Sequence, residues 1–249
     1  MIASQRNLYI LRRLDECGII DYKSISRELG VSEATVRRDF EKLEQSGKLR
    51  RVQGGAMRSD EMAVELSSRA KNSLHADRKT IVAEAAAAEV QDGEDVFLDM
   101  GTSIAPLGRL LLQRPVRIIT TNNLILQSVT PASRAEVYVI GGHFSPVDHM
   151  FIGSSAEQML QNFTFHRAFI GCMGIDPKKN AVYVTDISTC RIKQIAMANA
   201  QQRVLLVDRS KMKKVGLLRL CGVSDFDRVY MDGPVPGECG DNFVEVIKE

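Results

Sequence analysis

The sequence lacks the features that mark several whole classes of protein. Its 249 residues contain five cysteines, Cys17, Cys172, Cys190, Cys221 and Cys239, an odd number, widely spaced, with no Cys-x-x-Cys pair. That pattern argues against a disulfide framework or a zinc site and fits a reducing cytoplasm. No run of about 18 apolar residues occurs, so no membrane-spanning helix is expected. The opening Met-Ile-Ala-Ser-Gln-Arg lacks the basic-then-apolar order of a secretory leader. There are four histidines, and the neighbourhood of His143 and His149 offers no further ligands for a metal site. Neither a metal nor a cofactor is expected. A charge excess of one sign is missing too, with 33 Lys and Arg against 31 Asp and Glu.

The charge is nonetheless unevenly placed. Residues 1–58 hold 12 Lys and Arg and 8 Asp and Glu, a net of +4, whereas the remainder holds 21 and 23, a net of −2. A cationic excess confined to one segment suits phosphate binding, and its small size implies ordinary, salt-dependent nonspecific affinity. With 44% hydrophobic residues the chain can bury a proper core, as one large domain or two ordinary ones.

The cationic segment has a recognisable order. Leu8, Leu11 and Leu14 suggest a first amphipathic helix ended by Cys17-Gly18, and Ile25 and Leu29 stripe a short second one. Gly30 permits a tight turn before Ser32-Glu-Ala-Thr-Val-Arg-Arg-Asp-Phe40. In that third helix Val36, Phe40 and Leu43 fall at i, i+4 and i+7 and face a core. Ser32 is a natural N-cap, and Glu33 suits the positive end of the helix dipole. Ala34 and Arg38 point the opposite way, flanked by Thr35 and Arg37. Such a small, hydroxylic, cationic face can press against base edges, where Arg reads guanine and Thr meets a thymine methyl. Two short extended runs around Gly54-Gly55 then suggest a β-hairpin wing, with Arg50 and Arg51 available for phosphates. The DNA-facing set is therefore Ser32, Ala34, Thr35, Arg37, Arg38, Arg50 and Arg51, on a winged helix-turn-helix over residues 1–57.

Residues 58–78 are polar and read as a linker, and residues 79–249 as an α/β domain. An Ala-rich helix runs from Arg78 to Val90 and stops at Asp92-Gly93. Strands are expected at Asp95–Leu98, Val116–Thr120, Glu136–Ile140, Ala168–Gly171, Val204–Val207 and Arg228–Met231. Helices are expected at Ile104–Leu112, Leu124–Val129, Ser154–Leu160 and Ile192–Ala200. Unbroken β-branched runs alternating with helices indicate a parallel sheet covered on both faces. Ligands of such sheets sit beyond the carboxyl ends of the strands. There the sequence places Asp99-Met-Gly101-Thr102-Ser103, then Thr121-Asn122-Asn123, Gly141-Gly142, and Asp208-Arg-Ser-Lys211, with Lys193 near a helix start. Glycine, hydroxyls, amides and two lysines converging on one rim favour a phosphate-bearing ligand, although any single turn of this kind is ordinary strand–helix punctuation.

With these motifs in place, the chain resembles the DeoR family of transcriptional regulators over essentially its full length. The residue 32–40 helix matches that family's DNA-binding signature, and Asp99-x-Gly-Thr-Ser103, Thr121-Asn-Asn123, Gly141-Gly142, Lys193 and Asp208-x-Ser-Lys211 match its sensor domain. The resemblance implies a sensor with the fold of ribose-5-phosphate isomerase and glucosamine-6-phosphate deaminase. It also implies repression of a sugar or carbon-source catabolic operon, relieved by a phosphorylated sugar. Carried onto this sequence, the phosphate cradle falls on Gly101, Thr102, Ser103 and Asn122. Lys193 falls on the ligand-facing lysine, and Asp99 orders the rim. Many relatives carry a glutamate before that lysine; here Thr185-Asp-Ile-Ser188 offers only Asp186, or the Ser188 hydroxyl, to sugar hydroxyls.

The alternative is a sugar-phosphate isomerase with an appended DNA-binding domain. Isomerisation needs a base to move a proton between neighbouring carbons. The isomerases carry an Asp-Gly-Ala-Asp-Glu turn after a central strand. This chain has Gly171-Cys-Met-Gly-Ile175 there, with the nearest carboxylate at Asp176. Recognition without turnover, and no catalytic residue, is the expectation. The expected partners are an operator duplex, a phosphorylated sugar or related effector, and further copies of the chain in a homodimer or homotetramer, with no membrane. A two-fold assembly would match a palindromic operator.

Overall fold

A computed structural model describes residues 2–17, 19–52, 54–57, 76–146 and 148–247. Its contacts divide the chain into two units, Met1–Ser67 and Ser68–Glu249.

In the first unit the helices are α1 (Ala3–Cys17), α2 (Tyr22–Leu29) and α3 (Glu33–Gln45), and the strands are β1 (Ile19–Asp21), β2 (Arg50–Val52) and β3 (Gly55–Met57). Asp21 caps α2 by accepting the Ser24 amide at 2.8 Å. Gly30 ends α2 in the left-handed conformation, φ 63°, which a side chain rarely adopts. Ser32 caps α3, its hydroxyl accepting the Thr35 amide at 3.2 Å. Val36, Phe40 and Leu43 are buried against Ile10, Leu14 and Ile25, as their spacing requires. The stripe expected on α1 is corrected: Leu8 is 70% exposed, and Ile10 and Leu14 carry the core. Four residues apart, those two share a face, whereas Leu8 lies about 200° round the helix from Ile10 at 100° per residue.

The wing is three-stranded and antiparallel, in the order β1-β3-β2. The Gly54-Gly55 pair has two separate jobs. Gly54 turns the hairpin at φ 88°, and a Cβ on Gly55 would lie 2.1 Å from the Ile20 carbonyl oxygen. Glycine there lets β1 approach; β1 itself was not expected from the sequence.

Among the described residues, the first element of the second unit is α4 (Ala76–Ala88). Of the residues expected to form a linker, 76–78 are therefore helical, and 58–75 lie outside the described residues. Seven parallel strands follow in spatial order β15-β14-β12-β9-β4-β5-β6: β4 (Asp95–Leu98), β5 (Arg117–Thr120), β6 (Glu136–Val139), β9 (Phe165–Gly171), β12 (Ala200–Val207), β14 (Arg228–Asp232) and β15 (Phe243–Val246). Side chains alternate across this sheet. Val96, Leu98, Val204 and Leu206 pack with α4 and with Leu107 and Leu111 of α5 (Ala105–Leu111). Phe97, Leu205 and Val207 face the other way, toward α7 (Ser154–Leu160) and α8 (Ile187–Ala198). Both faces are covered, which explains the near-continuous apolar runs.

The six expected strands all exist. One helix is corrected: α8 starts five residues before the expected Ile192, because Asp186 caps it by accepting the Thr189 amide at 2.9 Å. The expected end at Ala200 is instead the first residue of β12. The remaining elements are α6 (Asn123–Leu126), a hairpin of β7 (His143–Ser145) and β8 (Met150–Ile152), and a small antiparallel sheet of β10 (Gly174–Asp176), β11 (Ala181–Val184) and β13 (Leu218–Cys221).

Candidate functional site

In the first unit, α3 is clamped from behind. Asp39 is buried and accepts two hydrogen bonds from Arg6 of α1, at 2.7 and 3.1 Å. Phe40 stacks against Tyr22, with ring centroids 5.0 Å apart. The opposite side carries exposed Ala34, Arg37 and Arg38, with Thr35 half-buried. The Thr35 and Ser32 hydroxyls lie 2.9 Å apart, so both belong in part to the cap. Arg37 lies 5.0 Å over the Tyr22 ring, a cation–π contact, and remains exposed. The two wing arginines differ. Arg50 is exposed, whereas Arg51 is folded back onto α3, bonding Glu44 at 2.6 Å and Glu41 at 2.9 Å. Its expected availability for phosphate is thus opposed by two carboxylates, a correction that sequence spacing alone does not reveal. Nor did the sequence reading single out the clamp residues Arg6 and Asp39.

In the second unit, the turn after β4 is the point of convergence. Asp99 is fully buried, and its Oδ2 accepts the Gly171 amide at 2.8 Å and the Lys193 ammonium of α8. Its Oδ1 and the Thr121 hydroxyl are buried with no hydrogen-bond partner among the described residues. Gly101 has φ 110° with open space where a Cβ would stand. Among the described residues, no carbonyl accepts the amides of Gly101, Thr102 or Ser103. Two further ammonium groups reach this turn. Lys211, on the 3₁₀ turn after β12, donates to the Ser103 hydroxyl at 3.0 Å. Lys79, in the first turn of α4, donates to the Thr102 hydroxyl at 2.9 Å. Lys79 is 5% exposed, as is Lys193. The sequence reading missed Lys79, although it held a signal: Val82, Ala83 and Ala86, at i+3, i+4 and i+7 from Lys79, are all buried. A lysine in register with such a face is buried with it. The electrostatic reach of the cluster extends to Cys172: burial pushes its thiol pKa up, and Lys211 and Lys193 pull it back down.

The other expected rim residues are arranged differently. The Asn122 side chain is buried and occupied: its amide nitrogen donates to the carbonyls of Asp99 and Gly101 at 3.1 Å each, and its oxygen caps α6 at the Leu124 amide, 2.9 Å away. It shapes the cradle and does not face into it. Asn123 donates its amide to the His149 carbonyl at 2.8 Å, and Thr121 accepts the Phe151 amide at 3.0 Å, so the β7–β8 hairpin seals this turn. Gly142 is glycine for packing, because a Cβ would sit 2.6 Å from the Ile152 carbonyl oxygen; Gly141 alone has open space. Asp186 is taken up with capping, its second oxygen accepting the Thr189 hydroxyl at 2.8 Å. Its expected role toward sugar hydroxyls is corrected accordingly: short polar side chains at strand–helix turns serve caps as readily as ligands. Asp99, Gly101, Thr102, Ser103, Lys193 and Lys211 do come together. The result is a turn of hydroxyls, open amides and three ammonium groups, suited to an anion bearing several oxygens.

Comparison with known proteins agrees with both units. The family model described as a DeoR-like helix-turn-helix domain matches residues 6–62, and that of the DeoR C-terminal sensor domain matches residues 74–233. A protein of Escherichia coli O157:H7, provisionally named an aga operon transcriptional repressor, is 30% identical over 239 residues, spanning 95% of this chain and 88% of that one. The lactose phosphotransferase system repressor of Staphylococcus aureus (strain NCTC 8325) is 28% identical, spanning 90% and 89%. Among solved structures, ribose 5-phosphate isomerase A from Methanocaldococcus jannaschii is 21% identical over 55% of this chain and 54% of its own, with a TM-score of 0.41. With a DeoR-like helix-turn-helix domain and a DeoR C-terminal sensor domain matched in that order, and a relative 30% identical along most of both chains, the chain belongs to the DeoR family of transcriptional regulators.

Proposed function

We propose that this protein is a repressor of a sugar or carbon-source catabolic operon, released from its operator when a phosphorylated sugar binds the turn after β4. The observation that supports the effector class is the gathering of Lys79, Lys193 and Lys211 on the hydroxyls and carboxylate of residues 99–103. Phosphate offers several charged acceptors to such donors, whereas a neutral sugar offers none. Arg37 and Arg38 read base edges, Ser32, Ala34 and Thr35 approach the groove, and Arg50 positions the wing on phosphate. In this reading residues 1–57 bind DNA, 58–78 connect, and 79–249 sense. The protein works in the cytoplasm as a homodimer or homotetramer, whose paired winged helices meet the half-sites of an operator.

The site recognises its sugar phosphate without turning it over. Proton transfer needs a base within reach of a carbon-bound proton. Asp99 is tied to Lys193 and to the Gly171 amide. Asp176, the last residue of β10, accepts the Lys179 amide at 3.2 Å, with the Lys179 ammonium 3.6 Å away. The test is a thermal-shift panel of pentose 5-phosphates, hexose 6-phosphates, hexosamine 6-phosphates, their unphosphorylated sugars and inorganic phosphate. Each stabilising compound is then assayed for isomerised product. Stabilisation by one phosphorylated sugar, with none by its parent sugar and no product, is expected. Conversion of that compound would establish the enzyme instead, and equal stabilisation by the parent sugar would remove the phosphate site.

A further inference from the structure

The three ammonium groups on the sensor turn differ in what they hold and in where they come from. Lys193 is paired with a fully buried carboxylate inside the domain. Lys211 and Lys79 each donate, among their contacts, to one of two adjacent hydroxyls, those of Ser103 and Thr102. A phosphate oxygen is a stronger acceptor than a hydroxyl for an ammonium donor. An anion settling over Gly101, where space is open, would therefore draw both. Lys211 stands on the turn after β12, in the interior of the seven-stranded sheet. Lys79 stands in the first turn of α4, the first described element after the DNA-reading unit.

We propose that Lys79 is the residue through which effector binding is transmitted: it binds the effector's phosphate and, by shifting the first turn of α4, couples the sensor turn to the chain leading to the winged helix. This rests on the reading of the turn as the phosphate site. A ligand changes an equilibrium only through contacts that differ between the two states. Lys193 and Lys211 are fixed to the sheet and its packed helix, so their contacts contribute affinity in either state. Lys79 is carried by the element whose start continues toward the DNA-reading unit, so its contact with the anion can differ between the operator-bound and released states. Its role is that of a binding residue that also governs coupling. It predicts a split between affinity and response that a purely structural lysine would not give.

The experiment uses the full chain and compares wild type, Lys79→Met, Lys79→Arg and Lys211→Met. Calorimetry measures binding of inorganic phosphate and of the most strongly stabilising sugar phosphate from the panel. Fluorescence anisotropy then gives the operator Kd in each variant, with no sugar phosphate and at saturation. The ratio of those two values is the coupling factor. Wild type should show a ratio of about thirty, within the usual five- to 150-fold range. Lys211→Met should bind the sugar phosphate about tenfold more weakly yet reach the wild-type ratio at saturation. Lys79→Met should bind it more weakly and show a ratio below about three at saturation, with Lys79→Arg restoring part of both. A wild-type ratio in saturated Lys79→Met would overturn the proposal. So would undetectable binding in both Lys79 variants, which would make the residue one of affinity alone. If wild type itself binds no phosphorylated compound, the effector site is misassigned and the proposal falls with it. If wild type binds one and releases no DNA, the coupling alone falls.

Discussion

Replacing Lys193 by methionine removes one half of an ion pair whose other half cannot leave. Asp99 is fully buried and Lys193 is 5% exposed. Without the ammonium, Asp99 keeps the Gly171 amide on Oδ2, and its Oδ1 has no hydrogen-bond partner among the described residues. Breaking a buried pair by removing one partner typically costs about 3–5 kcal/mol. With a urea m-value of about 2 kcal/mol/M for the sensor domain, that lowers its unfolding midpoint by about 1.5–2.5 M. Asp99→Asn in the same chain removes the stranded charge while keeping an oxygen for Gly171, so the double variant should lose less than the two single variants together, by about 2 kcal/mol. The assay is urea unfolding at pH 7 followed by circular dichroism, on wild type, both single variants and the double. A Lys193→Met loss below about 1 kcal/mol, or strict additivity across the cycle, would refute a charged, buried pair. Loss of effector response in a Lys193 variant is therefore read together with its unfolding midpoint.

Other expectations follow from the same geometry. Arg38→Ala should weaken specific operator binding by about 1–3 kcal/mol and relax base preference at one position; unchanged affinity would take Arg38 off the recognition face. Arg50→Ala should reduce the slope of log affinity against log salt by about one. Arg51→Ala should change that slope little, because Glu41 and Glu44 already hold its charge, and as an exposed cluster it should contribute little to stability; an equal slope change in both variants would contradict the difference. Gly55→Ala places a Cβ 2.1 Å from the Ile20 carbonyl oxygen, so β1 must move, and both melting temperature and operator affinity should fall. Finally, burial raises the thiol pKa of Cys172, Cys190, Cys221 and Cys239, that of Cys221 to about 12. The thiolate is the reactive form, so a raised pKa means less of it at pH 8. Iodoacetamide should therefore label these four more than tenfold faster in urea than in the native protein. Rapid native labelling of Cys172 would reveal an activated nucleophile beside the lysines.

The parts of this protein legible in its sequence are those fixed by local pattern. The Val36, Phe40, Leu43 register placed α3 correctly, and the capping residue Ser32 set its start. Six of the seven parallel strands were legible, because strands buried on both faces must be apolar throughout; β15, a partly exposed strand at the edge of the sheet, was not expected. The error in α1 came from choosing residues by type and not by phase. The β7–β8 hairpin and the β10-β11-β13 sheet were missed because strands of three or four residues take their stability from partners, some distant in sequence, as Val182 does from Cys221. At the candidate site, the sequence identified Asp99, Gly101–Ser103, Lys193 and Lys211, since their residue types suit an anion. It could not separate ligand-facing groups from those that build the turn. Asn122 and Asp186 have the right chemistry, and their hydrogen bonds go to backbone and caps. Lys79 was the converse case, a charged residue hidden in an alanine-rich helix and visible only when the helix phase is followed through it.

The most direct test of the whole account is fluorescence anisotropy of the purified chain on DNA from upstream of its own gene, at fixed salt, with and without the panel of sugar phosphates. Tight binding is expected, which competing random DNA does not displace, which one phosphorylated sugar abolishes and which its unphosphorylated parent leaves unaffected. Specific binding that no phosphorylated compound alters would contradict the effector half of the account. Binding no tighter than to random DNA, repeated on fragments from flanking sugar-catabolic operons, would contradict its central claim.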